Sequence, residues 1–417
     1  MGMRRAVSRR AFLGRSAALL GGGLVLDLGG CGDDTPDETG PDAWPDKGVA
    51  GPDEVVLGLY PRARIPSAVD AVREACKHVD FGWLGKGESV FVKVASNSNL
   101  PHPAVTSPDA VRAMVQELRA RGAGKILVGD QAGVESVRLV ARGRFSSTQE
   151  VFADNGLGAA VAEAGAEAHF FDDQGWDGYV EATLPAGSHW KLPLRIAKVV
   201  TEVDHIVYLP RLSSHAIAGC THALKMAVGW LRDDSRNHLH HDAATFYEKY
   251  AEISYAKEIA DRLRLTLTLA DDVLLDFGPD TGTVAAADPR VVIASRSLAG
   301  HEAVSAALLV HIDELTAEGP EPHYDAGTAN TLNQLFVTQY VQAATGLPWG
   351  PGAPADYTAL VPHAFEKGLG DNAPLARAWE ITGGRPAKIG VLSVAEPPSA
   401  ALVAALAAHG EGSFVLA

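Results

Sequence analysis

The chain has 417 residues, 47% of them hydrophobic, and a formal charge of −15 at pH 7. That length can bury a large core in one large or two medium domains. Setting aside residues 1–30, which hold five arginines and one aspartate, takes the charge to −19, and so acidic a body repels nucleic-acid phosphates and offers no basic membrane-docking face.

From the N-terminus, Ser8–Leu13 reads SRRAFL, ahead of the apolar run AALLGGGLVL. The run is too short and glycine-rich to serve as a stable bilayer span. Paired arginines at this place resemble a twin-arginine export signal, which makes the export machinery an expected partner; an ordinary secretory signal is the alternative. LGGC, Leu28–Cys31, resembles a lipoprotein processing box, with Cys31 as the lipidated residue. Several acyl chains there would anchor the protein stably to a bacterial membrane, facing the periplasm or cell exterior. Residues 1–31 are thus read as leader. Residues 32–54, rich in Pro, Gly and Asp, are read as a disordered tether. Residues 55–417 form the expected folded body, in one piece or two lobes. Export of a folded protein is compatible with a cofactor inserted beforehand.

Strand-like and helix-like segments then alternate. EVVLGLY is a strand, PSAVDAVREACKHV a helix and SVFVKVA a strand. SPDAVRAMVQELRARGA is a helix with Ser107 as N-cap, Pro108 in its first turn and Gly122 at its end. KILVGD is a strand, Thr148–Gly165 a helix, and AEAHFFD and HIVYLP follow as strands. RLTLTLADDVLLD and RVVIASRS are further strands; helices dominate from about Ala299, and AKIGVL is a last strand. This order predicts an α/β fold: a mostly parallel sheet with helices on both faces, and a helical C-terminal region. In such sheets the ligand cleft lies at the C-terminal ends of the strands. Four polar strand ends, KVASNSN, GDQAG, PRLSSH and DDVLLDFGPDTG, are expected to converge there.

With Cys31 lipidated, Cys76 and Cys220 remain, expected as buried thiols rather than a disulfide. No four-cysteine run exists, so no ferredoxin-type iron–sulfur cluster is expected.

These motifs, in order, resemble the bacterial family called domain of unknown function 362. The match runs through FVKVASNSNLPHPAVTSPDAVRAMVQEL, ILVGD, DHIVYLPRLSSHAIAGCTHALKMAVGW, LTLADDVLLDFGPDTG and HAFEKGLGD, over roughly Val55–Ile389. The resemblance implies a site at His215, Thr221 and Lys225, and names no reaction. The chain departs from the family pattern at Ser213, where a lysine is usual, at Met226, where an asparagine is usual, and at His301 and Glu302, where an aspartate is common.

Read as chemistry, Lys93, His215 and Lys225 are the candidate catalytic groups, for charge stabilisation and proton transfer. Asn97, Asn99, Asp130, Thr221, Asp272, Gly278 and Gly282 are candidate ligand-binding residues. A helix starting near Gly219 would add N-terminal N–H groups for a small anionic ligand; the alternative pairs Lys225 with Asp130 or Asp272. RNHLHHD, Arg236–Asp242, offers His238 and His241 as metal ligands, so a metal cofactor stays open. Cys220 and His222 read as bystanders. Three functions remain: an enzyme acting on a small anion, a lipid-anchored binding protein, and a carrier of a metal or redox cofactor.

Overall fold

Val55–Tyr60 shows how the sheet is made. Val55, Leu57 and Leu59 pack into one apolar core, Val56 and Tyr60 into another, so both faces of the strand are covered. The computed structural model describes residues 24–27, 44–215, 218–241, 243–275, 278–316 and 368–417. Twelve strands form one sheet. They are β1 (Leu24–Asp27), β2 (Val55–Tyr60), β3 (Val90–Val94), β4 (Ile126–Asp130), β5 (Glu167–Phe170), β6 (His205–Leu209), β7 (Ser213–His215), β8 (Gly219–Thr221), β9 (Leu263–Leu275), β10 (Thr283–Ser295), β11 (Ile389–Ala395) and β12 (Phe414–Leu416). The order is β12-β11-β2-β10-β9-β6-β3-β4-β5, with β1 beside β10 and the β7–β8 hairpin beside β9. Along that path only β10 runs antiparallel to its neighbours. It follows β9 through a direct turn, a connection that imposes the antiparallel sense. The sheet is therefore mostly parallel and the fold is α/β.

Helices cover both faces. On one lie α1 (Ala68–Cys76), α2 (Pro108–Ala120), α3 (Thr148–Asn155) and α4 (Leu157–Ala164), with Val72, Met114, Phe152 and Val161 in their shared core. On the other lie α5 (Asp233–His241), α6 (Phe246–Ser254), α7 (Leu298–Leu315), α8 (Ala373–Ile381) and α9 (Ala400–His409). Leu239, Tyr250, Leu308, Leu375 and Leu402 anchor these to the second core. Residues 298–315, 373–381 and 400–409 give the C-terminal region its helices; residues 317–367 lie outside the described residues. Cys76 and Cys220 are buried free thiols.

Three expectations shift. The helix read over Thr148–Gly165 is two, because Gly156 sits at φ +85 and breaks the ladder. The tether read as disordered over 32–54 is ordered from residue 44: Trp44 packs edge-on against Tyr60 at 5.4 Å under Arg64, and Ala50 N–H donates to His78 O at 2.9 Å. Within the stretch read as leader, Leu24–Asp27 lies parallel to Ala285–Asp288 as β1. SRRAFL and Cys31 lie outside the described residues. Among the described residues no helix is long and apolar enough to cross a membrane.

Candidate functional site

The site is built on the chain that leaves β6. After Leu209 it passes Arg211 and folds into the β7–β8 hairpin, with Ser213 opposite Thr221, Ser214 opposite Cys220 and His215 opposite Gly219. Directly opposed residues share a face. Ser213, His215 and Thr221 thus lie on one face, Ser214 and Cys220 on the other. This corrects the expectation of a helix starting near Gly219. Gly219 has φ +76, the left-handed conformation that closes a short hairpin loop. Helical backbone begins at Lys225 and runs as a six-residue 3-10 turn to Trp230, so there is no α-helix N-terminus here for an anion.

Lys225 Nζ lies 2.9 Å from His215 Nε2. Ala218 N–H points at His215 Nδ1 at 3.2 Å; with Nδ1 accepting, the neutral ring carries its proton on Nε2. Nε2–H can bond Lys225 only if the amine is uncharged and offers its lone pair. The electrostatics agree. Burial and the cation of Arg211 lower Lys225 to about 7. Burial, then Lys225 and Arg211, push His215 well below the usual imidazole range. Burial likewise brings His240, near both, to about 4. His215 is buried, while Lys225 is part-exposed.

The surroundings are rich in cations bound to neutral acceptors. Arg211, 1% exposed, donates from Nη1 to the carbonyls of Pro103 (3.0 Å), Ala104 and Pro279 (2.6 Å), and from Nη2 to Asn97 Oδ1 (3.2 Å). It ties three of the four polar strand ends and their loops together. Arg236 donates to the carbonyls of Ala132, Gln131, Gly229 and Leu231. Carbonyls do not cancel charge. Two carboxylates act on these arginines by charge: Asp280, which accepts from Asn97 Nδ2, on Arg211, and Asp233, 3.9 Å from Arg236. Burial raises both, Asp233 to about 6. On the His215 face, Thr221 Oγ1 is buried and without a hydrogen-bond partner.

The other expected residues fall as follows. Lys93 and Asp130 come together, but as a closed pair: Lys93 Nζ is 2.6 Å from Asp130 Oδ1, at 1% and 4% side-chain exposure. Lys93 also donates to Val94 O and Met226 O, and Asp130 accepts from the N–H groups of Ser96 and Gln131. Such a buried, mutually bonded pair holds strands together. Asn97 joins the cluster through Arg211 and Asp280; Asn99 is exposed in the next bend. Asp272 is elsewhere, half-exposed and 3.6 Å from Arg62. The two glycines serve chain packing: a Cβ on Gly278 would meet Ser214 O at 2.1 Å, and one on Gly282 would meet Leu275 O at 2.1 Å. Lys225 pairs with neither Asp130 nor Asp272. The His238 ring lies 5.5 Å from that of Trp190, and the His241 side chain is outside the described residues. The described residues do hold one set with metal-ligand spacing, Cys220, His222 and Glu302. Sequence reasoning missed Arg211 and Asp280, although both stand in the quoted strand ends PRLSSH and GPDTG.

The motif carrying His215 and Lys225 falls inside a family match. The model of "Domain of unknown function (DUF362)" matches residues 90–307, just over half of the chain. The chain belongs to this family. DUF362 proteins are so called because the family model names no reaction. No curated protein matches the chain. Among solved structures, a Thermotoga maritima protein is 14% identical with a TM-score of 0.34, over 54% of this chain and 53% of its own. The chain thus spans about half the length of that protein. The lactate racemase apoprotein from Thermoanaerobacterium thermosaccharolyticum is 13% identical with a TM-score of 0.39, over 89% of this chain and 88% of its own.

Proposed function

We propose that this DUF362 protein is an exported, lipid-anchored enzyme that moves a proton on a small anionic carbonyl compound, with Lys225 as the base. The observation that carries this reading is the Lys225 Nζ–His215 Nε2 contact at 2.9 Å, which, with Nδ1 accepting from Ala218 N–H, pairs Nε2–H with a neutral amine. A neutral amine is rare in a lysine and is the form that accepts a proton. Arg211 and Arg236 supply a positive field that favours an anion, and the orphan Thr221 hydroxyl is a ready partner for it. Taking a proton turns the Lys225 lone pair into N–H and breaks its bond to His215 Nε2–H. The new ammonium then faces the anionic product, and His215 returns the neutral amine to place when the proton leaves.

The test is deuterium exchange next to the carbonyl of a panel of 2-oxo acids in heavy water, followed by proton NMR. Wild type should exchange at least one of them, and Lys225→Met should lower the rate by at least about 100-fold, the scale of general acid–base catalysis. His215→Ala should lower it as well; unchanged exchange in either variant would remove the assignment. If the acids raise the melting temperature of wild type and none exchanges, the same site belongs to a binding protein. The anchoring half is tested separately: Cys31→Ala should move the chain from the membrane fraction to the soluble one.

A further inference from the structure

On the opposite face of the same hairpin lies a second cluster. Cys220 projects away from His215 toward the second turn of α7, where Glu302 stands, and His222 follows two residues later. Each is about 1% exposed. One ligand atom from each of the three lies within 4.8 Å of the others. Cys220 Sγ is 3.8 Å and His222 Nδ1 is 3.5 Å from the same oxygen, Glu302 Oε1.

Two features set the cluster apart from ordinary buried polar groups. Both ring nitrogens of His222 are buried with no hydrogen-bond partner, and an unmet buried polar group costs about 1–3 kcal/mol. His301, beside Glu302, shows the usual arrangement: its nitrogens reach Thr268 at 3.2 Å and Ser305 at 3.3 Å. Second, among the described residues no lysine or arginine lies within ion-pair distance of Glu302; the cation within its reach is His222 itself, if protonated, and its other oxygen accepts Leu224 N–H at 2.9 Å. A buried carboxylate ordinarily has a cation.

We propose that Cys220, His222 and Glu302 form a binding site for a thiophilic divalent cation of the zinc class. A dication with one thiolate and one carboxylate is neutral, which suits a dry interior. Thiolate and imidazole donors favour zinc, cobalt or ferrous iron over magnesium and calcium. The Leu224 N–H bond turns Glu302 so that Oε1 faces the other two donors, the orienting part that outer partners play in metal sites. Three protein donors leave a fourth position for water or another group. This proposal does not rest on the role given to Lys225.

The experiment uses the full chain, stripped with a chelator and titrated with zinc against a metal indicator, then with cobalt(II). Wild type should take up one equivalent and, with cobalt, show thiolate-to-metal charge-transfer absorption. That absorption assigns the metal to a cysteine, which solvent-side histidines cannot imitate. Cys220→Ser should abolish it and weaken zinc at least tenfold, whereas Cys76→Ser should keep both. Glu302→Gln keeps the shape and the Leu224 bond, so it folds even if Cys220→Ser does not; it should weaken zinc at least tenfold. Folded wild type that binds no stoichiometric metal, or binds it without the charge-transfer band, overturns the site. So does a folded Glu302→Gln with unchanged affinity.

Discussion

Two lysines sit close together in this molecule, and their partners set them apart. Lys93 lies on β3 against Asp130 of β4, at 2.6 Å and almost wholly buried. Burial lowers its pKa, and Asp130 opposes that shift by charge and hydrogen bond. Lys225 faces an imidazole instead of a carboxylate, with Arg211 adding repulsion, and comes down to about 7. The first lysine holds two strands through its carboxylate; the second is the one proposed as a base. Residue type does not separate them. The acceptor across from each does, and a carboxylate would have kept Lys225 charged.

The largest expected effect tests the structural half of this contrast. Asp130→Ala leaves the Lys93 ammonium buried with only carbonyl partners, and breaking a buried pair from one side costs about 3–5 kcal/mol. Urea unfolding should show that loss, while a Lys93→Met, Asp130→Leu double variant should recover the part due to the stranded Lys93 charge and not the part due to the N–H groups of Ser96 and Gln131, which lose their acceptor in both. A double variant no more stable than Asp130→Ala would mean that the stranded Lys93 charge carries none of the loss. Next in size is Gly229→Ala. Its Cβ would fall 2.2 Å from Asp130 Oδ1 and 2.3 Å from Lys93 Nζ, so the pair must move. Overpacking of this kind costs about 1–3 kcal/mol. The same unfolding measurement should register it, with the Lys225 chemistry kept.

Much of the fold was legible from period alone. Strands such as Val90–Val94 and His205–Leu209 are apolar except at Lys93 and His205, near-continuous runs that mark parallel strands buried on both faces. His215 and Lys225 were legible as a pair of reactive groups ten residues apart. Their contact was not, because it depends on Gly219 taking φ +76 and folding a hairpin where spacing suggested a helix. The tie of Lys93 to Asp130 was hidden in the strand order: β3 and β4 are neighbours with Lys93 level with Gly129. Asp272 was misplaced for a local reason. β9 changes register between Ala270 and Asp272, and the acids beyond that irregularity turn to His102, Arg62 and Arg290. Arg211 was passed over because a basic residue beside a motif histidine gives no sign that it will reach the carbonyls of Pro103, Ala104 and Pro279.

The smallest effect is also the sharpest test of the contrast, because it reads the charge of one lysine. The fold disfavours the Lys225 ammonium, so between about 7 and the ordinary lysine value the unfolded chain holds a proton that the folded chain lacks. Stability contributed by this residue therefore rises with pH across that window, by at most about 1.4 kcal/mol per unit. Below about 7 both states are protonated and the penalty is complete and constant. Lys225 is part-exposed, so solvent screening holds the slope under that ceiling. Urea melts of wild type and Lys225→Met at pH 6.5 to 9.5, on the order of the window set by the two lysine values, should diverge with pH, wild type gaining relative to the variant. The Asp130→Ala variant should keep the wild-type slope. Parallel pH profiles for wild type and Lys225→Met would mean that Lys225 is an ordinary ammonium, and that the two lysines differ in position but not in kind.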